Sequence, residues 1–148
     1  MPTGGLIRSL WCAGVDVYLP VIRPGSRCLK FRQFAPGTAL RPNRYGVPEP
    51  YPAAAPAALR RQLDVVFLPL VGFDAAGRRL GMGGGYYDAT FADRKGRRWQ
   101  PPRLIGLAFT VQQAPRVPGA SWDLPLEGVI TERGYAKLPV RDASQEQA

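Results

Sequence analysis

Leu63-Asp64-Val65-Val66-Phe67-Leu68-Pro69-Leu70-Val71 decides the fold class. Only Asp64 and Pro69 interrupt its apolar side chains. A near-continuous apolar run of this length predicts a strand buried on both faces of a parallel sheet. Leu104-Ile105-Gly106-Leu107-Ala108-Phe109 repeats the pattern, and Gly128-Val129-Ile130-Thr131-Glu132 repeats it in shorter form. Strands here alternate with helical or loop segments. The expectation is an α/β fold of three layers, a mostly parallel sheet flanked by helices. Residues 1–138 are expected to form a single domain and residues 139–148 a polar, frayed tail.

Upstream of this run the signals are weaker. Residues 6–12 predict the last turns of a helix ending at Gly14. Val15-Asp16-Val17-Tyr18-Leu19-Pro20-Val21-Ile22 is rich in β-branched and aromatic residues and predicts a strand. Pro24-Gly25 marks a turn. Leu29-Lys30-Phe31-Arg32-Gln33-Phe34 alternates and predicts a half-exposed strand. Between Pro36 and Pro56 the prolines are too frequent for regular structure, so a long loop is expected. A short helix is expected within residues 53–62, and another beginning at Tyr86.

At 148 residues the chain is long enough to bury a core without disulfide or metal staples. A hydrophobic fraction of 45% beside 21% charged residues argues against a wholly disordered chain. The absence of histidine excludes Ser-His, Cys-His and His-metal chemistry. Two cysteines, Cys12 and Cys28, match no redox motif and cannot hold zinc alone. No apolar run approaches the roughly 20 residues of a bilayer span. Arg8 and Asp16 interrupt the apolar start, and no cationic stretch precedes it, so no signal peptide is expected. A cytoplasmic, monomeric protein is expected. Twenty basic residues against eleven acidic ones give a net charge of +9. Such a field favours anionic partners, or reflects an arginine-rich solvated surface; both readings stand.

The chemistry is expected in residues 73–88, after the first buried strand. Ligands in open α/β sheets bind beyond the carboxyl ends of the strands. Glycines 81, 83, 84 and 85 let backbone N–H groups approach an anion closely. Arg78 and Arg79 add charge, and the following helix start would add its positive dipole end. No Gly-Lys-Ser or Gly-Lys-Thr makes this a Walker loop, and no acidic strand end follows to complete a dinucleotide fingerprint. A flexible glycine turn is the bland alternative.

The residue order narrows the choice. Arg79-Leu80-Gly81-Met82-Gly83-Gly84-Gly85-Tyr86-Tyr87-Asp88 resembles the signature of the 5-formyltetrahydrofolate cyclo-ligase family. That signature reads Arg-Leu-Gly, a variable residue, Gly, a variable residue, Gly-Tyr-Tyr-Asp. Tyr45-Gly46-Val47-Pro48-Glu49-Pro50 is similar to the family's aromatic-Gly-Ile-Pro/Glu-Pro loop. Residues 63–74 and 106–112 are similar to two of its strands. Trp122-Asp123-Leu124-Pro125-Leu126-Glu127, with the strand after it, is similar to its C-terminal element. The matches fall in order across roughly residues 10–135.

The resemblance implies an ATP- and magnesium-dependent ligase of one-carbon metabolism. It closes the ring of 5-formyltetrahydrofolate to 5,10-methenyltetrahydrofolate and releases ADP and phosphate. Arg79, Leu80, Gly81, Met82, Gly83, Gly84, Gly85, Tyr86 and Tyr87 would bind ATP, with Arg79 and Tyr86 catalytic. Tyr45, Met82, Gly83, Gly84, Gly85 and Tyr86 would contact the folate. Asp88 and Asp123 would hold Mg2+. Arg94-Lys95-Gly96-Arg97-Arg98 is either solvated loop charge or an attractor for the glutamyl tail. Met82 stands where the family often has tyrosine or arginine. Family members also usually begin with a basic helix and a strand ahead of the position of Leu10. Those segments carry a lysine and an arginine for ATP and a carboxylate for folate. The chain starts after them, so a poor catalyst and a marginally stable domain are expected. Alternatives are a non-catalytic relative that binds folate or nucleotide, and a basic nucleic-acid-binding module. The last lacks a known binding motif and aromatics interleaved with its basic residues.

Overall fold

A computed structural model describes residues 2–51, 56–94, 101–119 and 123–139. They fall in two compact units, Pro2–Gln62 and Leu63–Ala148.

The first unit opens with helix α1, Gly4–Cys12, which ends at Gly14 in a positive-φ conformation as its sequence suggests. The Trp11 indole N–H donates to the Phe34 carbonyl at 2.8 Å, and the two rings meet at 5.1 Å. Strand β1, Tyr18–Val21, pairs antiparallel with β2, Lys30–Gln33. The expected loop of residues 36–56 is instead largely a hairpin, β3, Ala39–Pro42, against β4, Pro48–Tyr51. Its prolines tolerate this because of where they fall. The Asn43 amide donates to the Val47 carbonyl at 2.8 Å, so the pairs Pro42–Pro48 and Leu40–Pro50 occupy the alternate sites, where no hydrogen bond crosses. The short helix expected in residues 53–62 is not seen from Ala57 onward. Strand β5, Ala57–Ala58, pairs with β2, and a single 3-10 turn, Arg60–Gln62, follows. Residues 52–55 lie outside the described residues.

In the second unit, β6, Val65–Pro69, is followed by the small antiparallel pair β7, Gly72–Phe73, and β8, Arg79–Leu80. Helix α2, Tyr86–Thr90, comes next, then β9, Arg103–Leu107, β10, Gly128–Thr131, and β11, Gly134–Lys137. The sheet order is β11-β10-β9-β6. Strands β6, β9 and β10 are parallel, and β11 returns antiparallel. The class is therefore mixed α/β with several sheets and few helices. Strand β11 was not expected, because its four residues are all exposed and carry no apolar run.

The run of residues 63–71 is not buried on both faces. Val66 and Leu68 are buried while Val65 is 42% exposed, because β6 is the edge of its sheet. Burial on both faces belongs to the central strand β9, where the adjacent Leu104 and Ile105 are both buried. Leu126, Val129, Phe91 and Ala108 complete a close-packed core around it. The expected tail from residue 140 lies outside the described residues.

Candidate functional site at the carboxyl ends of the parallel strands

Parallel strands send their following loops to one end of the sheet, and here side chains lace those loops together. The Gln112 amide Nε2 donates to the carbonyls of Leu70 (2.9 Å) and Val71 (3.1 Å), while its Oε1 accepts the Phe109 amide at 2.7 Å. The Thr110 amide donates to both oxygens of Glu132, at 3.2 and 2.9 Å. The loops after β6, β9 and β10 thus share a hydrogen-bonded frame. In the sequence Gln112 is only the last position of the segment 106–112; its role as a strut needed the fold.

Asp74 anchors the next turn. It is 2% exposed, and its Oδ1 accepts the amides of Ala76 (2.9 Å) and Arg78 (3.0 Å). Its Oδ2 accepts the Val117 amide at 3.0 Å and faces Arg78 Nη1 at 3.7 Å. A buried carboxylate is tolerated when it collects hydrogen bonds and a cation in this way. The chain then runs through β8 into the glycine loop.

Gly81, Met82, Gly83, Gly84 and Gly85 are all exposed, and Met82 is 92% exposed. A Cβ added at Gly81, Gly83 or Gly85 would meet nothing within 4 Å. Space therefore remains beside this backbone for a ligand. Helix α2 is five residues long, so the dipole expected behind the loop is a single turn's.

Arg79 and Asp88 close the base of the loop. Arg79 Nη2 lies 2.6 Å from Asp88 Oδ1, and Arg79 Nη1 donates to the Leu124 carbonyl. The same Oδ1 accepts the Leu124 amide at 3.2 Å. Leu124 follows Asp123, so the two carboxylate-bearing segments proposed from sequence are brought together. Asp88 Oδ2 has no hydrogen-bond partner among the described residues, which leaves one carboxylate oxygen to offer a cation. No group of three or more carboxylates or thiols gathers among the described residues.

Tyr87 is partly buried beside this pair. Burial pushes its phenol up to about 12, with the Arg79 charge pulling the other way. Tyr86 is also partly buried, and its carbonyl accepts the Thr90 hydroxyl at 2.6 Å. Leu80 is 48% exposed at the loop entrance. Residues 95–100 and Trp122 lie outside the described residues, so most of the basic run at 94–98 does too.

Tyr45 belongs to the first unit, in the turn between β3 and β4. It is 58% exposed, its amide donates to Asn43 Oδ1 at 2.9 Å, and the Arg44 guanidinium sits 4.7 Å from its ring centre. Nearby is an open groove of about 210 Å³ whose walls include Arg32, Arg41, Glu49 and Tyr51. Glu49 Oε1 accepts the Ile22 amide and the Asn43 side-chain amide, both at 2.8 Å. Arg41 stacks over Tyr51 at 4.4 Å. Glu49 has no role in the sequence reading; a lone acid between Pro48 and Pro50 was the available signal. Cys12 and Cys28 are exposed and form no disulfide. No described helix is long and apolar enough to cross a membrane.

Comparison with known proteins bears on the whole chain. The 5-formyltetrahydrofolate cyclo-ligase of Haemophilus influenzae is 39% identical over 129 residues, 86% of this chain and 67% of that one. The enzyme of the same name from Escherichia coli K12 is 40% identical over 132 residues, 88% of this chain and 71% of that one. Among solved structures, the 5,10-methenyltetrahydrofolate synthetase of Aquifex aeolicus aligns with a TM-score of 0.72 at 22% identity, covering 100% of this chain and 72% of that one. The synthetase of Mycoplasma pneumoniae aligns with a TM-score of 0.60 at 23% identity, covering 86% and 62%. These two likenesses speak to fold. The 5-formyltetrahydrofolate cyclo-ligase family matches residues 1–132, and with relatives this similar over so much of its length the chain belongs to that family.

Proposed function

We propose that this chain is a 5-formyltetrahydrofolate cyclo-ligase, coupling ATP hydrolysis to ring closure of 5-formyltetrahydrofolate. The observation that carries the reading is the family match over residues 1–132, with the ten-residue loop signature intact beyond the carboxyl ends of parallel strands. The formyl oxygen takes the γ-phosphoryl group and ADP leaves. The N10 lone pair then attacks the activated carbon, N10 gives up its proton, and the carbon–oxygen bond to phosphate breaks. Phosphoryl transfer depends on positioning and charge stabilisation more than on a side-chain base, which suits a chain without histidine.

In this reading Arg79 and the exposed backbone of residues 81–85 hold the ATP phosphates, with Leu80, Tyr86 and Tyr87 beside them. Met82, Gly83, Gly84, Gly85 and Tyr86 also meet the folate, and Tyr86 serves the reaction there. Asp88 and Asp123 serve Mg2+. The open Oδ2 of Asp88 suits an ion that takes one or two carboxylates beside phosphate and water. When bound, magnesium would neutralise phosphate charge. In the first unit, Tyr45 offers an exposed ring for stacking on a flat folate ring. The reading takes the enzyme as a cytoplasmic monomer, its folate polyglutamylated or not, and its fold as a three-layer, mostly parallel sheet flanked by helices.

The test mixes purified chain with 5-formyltetrahydrofolate, magnesium and ATP and follows absorbance of the methenyl product. Turnover that needs both substrates is expected. Binding of both without product would assign the non-catalytic relative instead. Binding of oligonucleotides alone would assign the basic module.

A further inference from the structure

The groove of the first unit holds two arginines with donors to spare. Arg32 lies on β2, and its neighbours across β1 and β5 are Leu19 and Ala57, neither of which has a side-chain acceptor. It is half-buried, and its guanidinium makes no hydrogen bond or ion pair among the described residues. A guanidinium that has given up part of its water and keeps its charge favours an anion. Arg41 reaches the same groove from β3 and lies 4.4 Å above the Tyr51 ring. Stacking uses the face of the guanidinium and leaves its N–H edge free to take a carboxylate. Glu49 stands opposite Arg41 in the hairpin, yet among the described residues no ion pair joins it to either arginine. Its Oε1 holds the Ile22 amide and the Asn43 side chain instead. The groove therefore sets two cations against one acid. Asn43 Oδ1 also accepts the amides of Tyr45 and Val47, which ties the turn bearing Tyr45 to the groove wall.

We propose that this groove takes the glutamyl carboxylates of a folate's tail, with Arg32 and Arg41 as the residues that read tail length. The proposal rests on the reading that the chain acts on 5-formyltetrahydrofolate, and it names the form of that substrate the site prefers. Each further γ-linked glutamate adds one free carboxylate, and arginine's planar fork matches a carboxylate edge to edge. Val21, Pro42 and Pro50 line the same groove and offer apolar surface to the methylenes between those carboxylates.

Arg32→Gln, Arg41→Gln and the double variant test it, with Arg41→Lys as the conservative control. KM and kcat are measured for 5-formyltetrahydrofolate carrying one glutamate or five. Wild type should show the lower KM for the longer tail. Each glutamine variant should raise that KM roughly three- to tenfold, and should leave kcat and the monoglutamate KM within about twofold of wild type. Arg41→Lys should recover part of the loss, since it keeps the charge without the fork. Added salt should shrink the advantage of the longer tail. Equal KM values for the two tails in wild type, or glutamine variants that keep the long-tail advantage, would overturn the proposal. So would a loss shared equally by both tails, which is what a merely structural role gives. Should Arg32→Gln not fold, Arg41→Gln, at an exposed residue, reads the same KM ratio. A wild-type chain that turns over neither folate would defeat the cyclo-ligase reading, and calorimetry with free penta-γ-glutamate would then decide the groove. Binding that the double variant loses supports the site. No binding, or displacement of the peptide equally well by inorganic phosphate or by an oligonucleotide, overturns it.

Discussion

The turn at residues 74–78 and the loop at residues 81–85 are near neighbours in sequence, and both depend on glycine. They use it in opposite ways. In the turn, Gly77 has φ +82°, and an added Cβ would lie 2.7 Å from the Leu126 carbonyl oxygen. The Leu126 amide donates back to the Gly77 carbonyl at 2.8 Å. Around it, Asp74 collects three amides. The space beside Asp74 and Gly77 is filled by the protein itself. In the loop, Gly81, Gly83 and Gly85 face open space. The first glycine lets two parts of one chain touch, and the others leave room for something else. A glycine cluster therefore signals function only where the protein leaves the space beside it empty.

The largest effect should come from breaking the turn at its centre. Asp74→Ala leaves the amides of Ala76, Arg78 and Val117 without their acceptor in a buried setting. A loss of about 3 kcal/mol or more is expected, read by denaturant unfolding. A change below about 1 kcal/mol would mean water replaces the carboxylate and the turn is less closed than it looks.

Next comes a matched pair of substitutions. Gly77→Ala should cost about 1–3 kcal/mol, from the left-handed backbone and the collision with Leu126. Gly81→Ala should alter stability by less than about 0.5 kcal/mol, since its φ is ordinary and its surroundings are empty. The same change should still weaken ATP binding, because a methyl group would stand where phosphate approaches. Equal stability losses, or unchanged ATP affinity in Gly81→Ala, would erase the contrast between turn and loop.

The smallest effect concerns Tyr87. Its phenol is pushed from 10.0 up to about 12 by burial, so the folded state holds that proton more tightly than the unfolded state. The resulting stability is fully present below pH 10 and is lost as pH rises toward 12. Relative to Tyr87→Phe, wild-type stability should fall across that window by at most about 1.4 kcal/mol per pH unit. Parallel pH profiles for the two proteins would show the ring to be solvated.

The order of elements was largely legible. The parallel strands β9 and β10 and the helix start at Tyr86 all lie where periodicity placed them. The hairpin of β3 and β4 was not legible, because counting prolines says nothing about which side of a strand each one faces. The edge position of β6 was hidden for a related reason: an apolar run reads the same whether one face is covered or two. Of the site, the glycine loop and its flanking Arg79 and Asp88 could be named from order alone. That the two side chains bind each other could not, since the Asp88 carboxylate is nine residues away and the third partner, Leu124, is 45 residues from Arg79.

What the sequence by itself determined is chemical inventory and family: no histidine, a net positive charge, and a ten-residue signature in its full order. These are properties of residue identity and local spacing, which survive without coordinates. What only the tertiary structure decided is which groups remain available. That Arg79 reaches Asp88 and the Leu124 carbonyl was not visible until its partners were known. Gly77 and Gly81 are the same residue until packing fills the space beside one and leaves the other open. Hydrogen-bond satisfaction and excluded volume depend on groups brought together from distant parts of the chain, and so they belong to the fold.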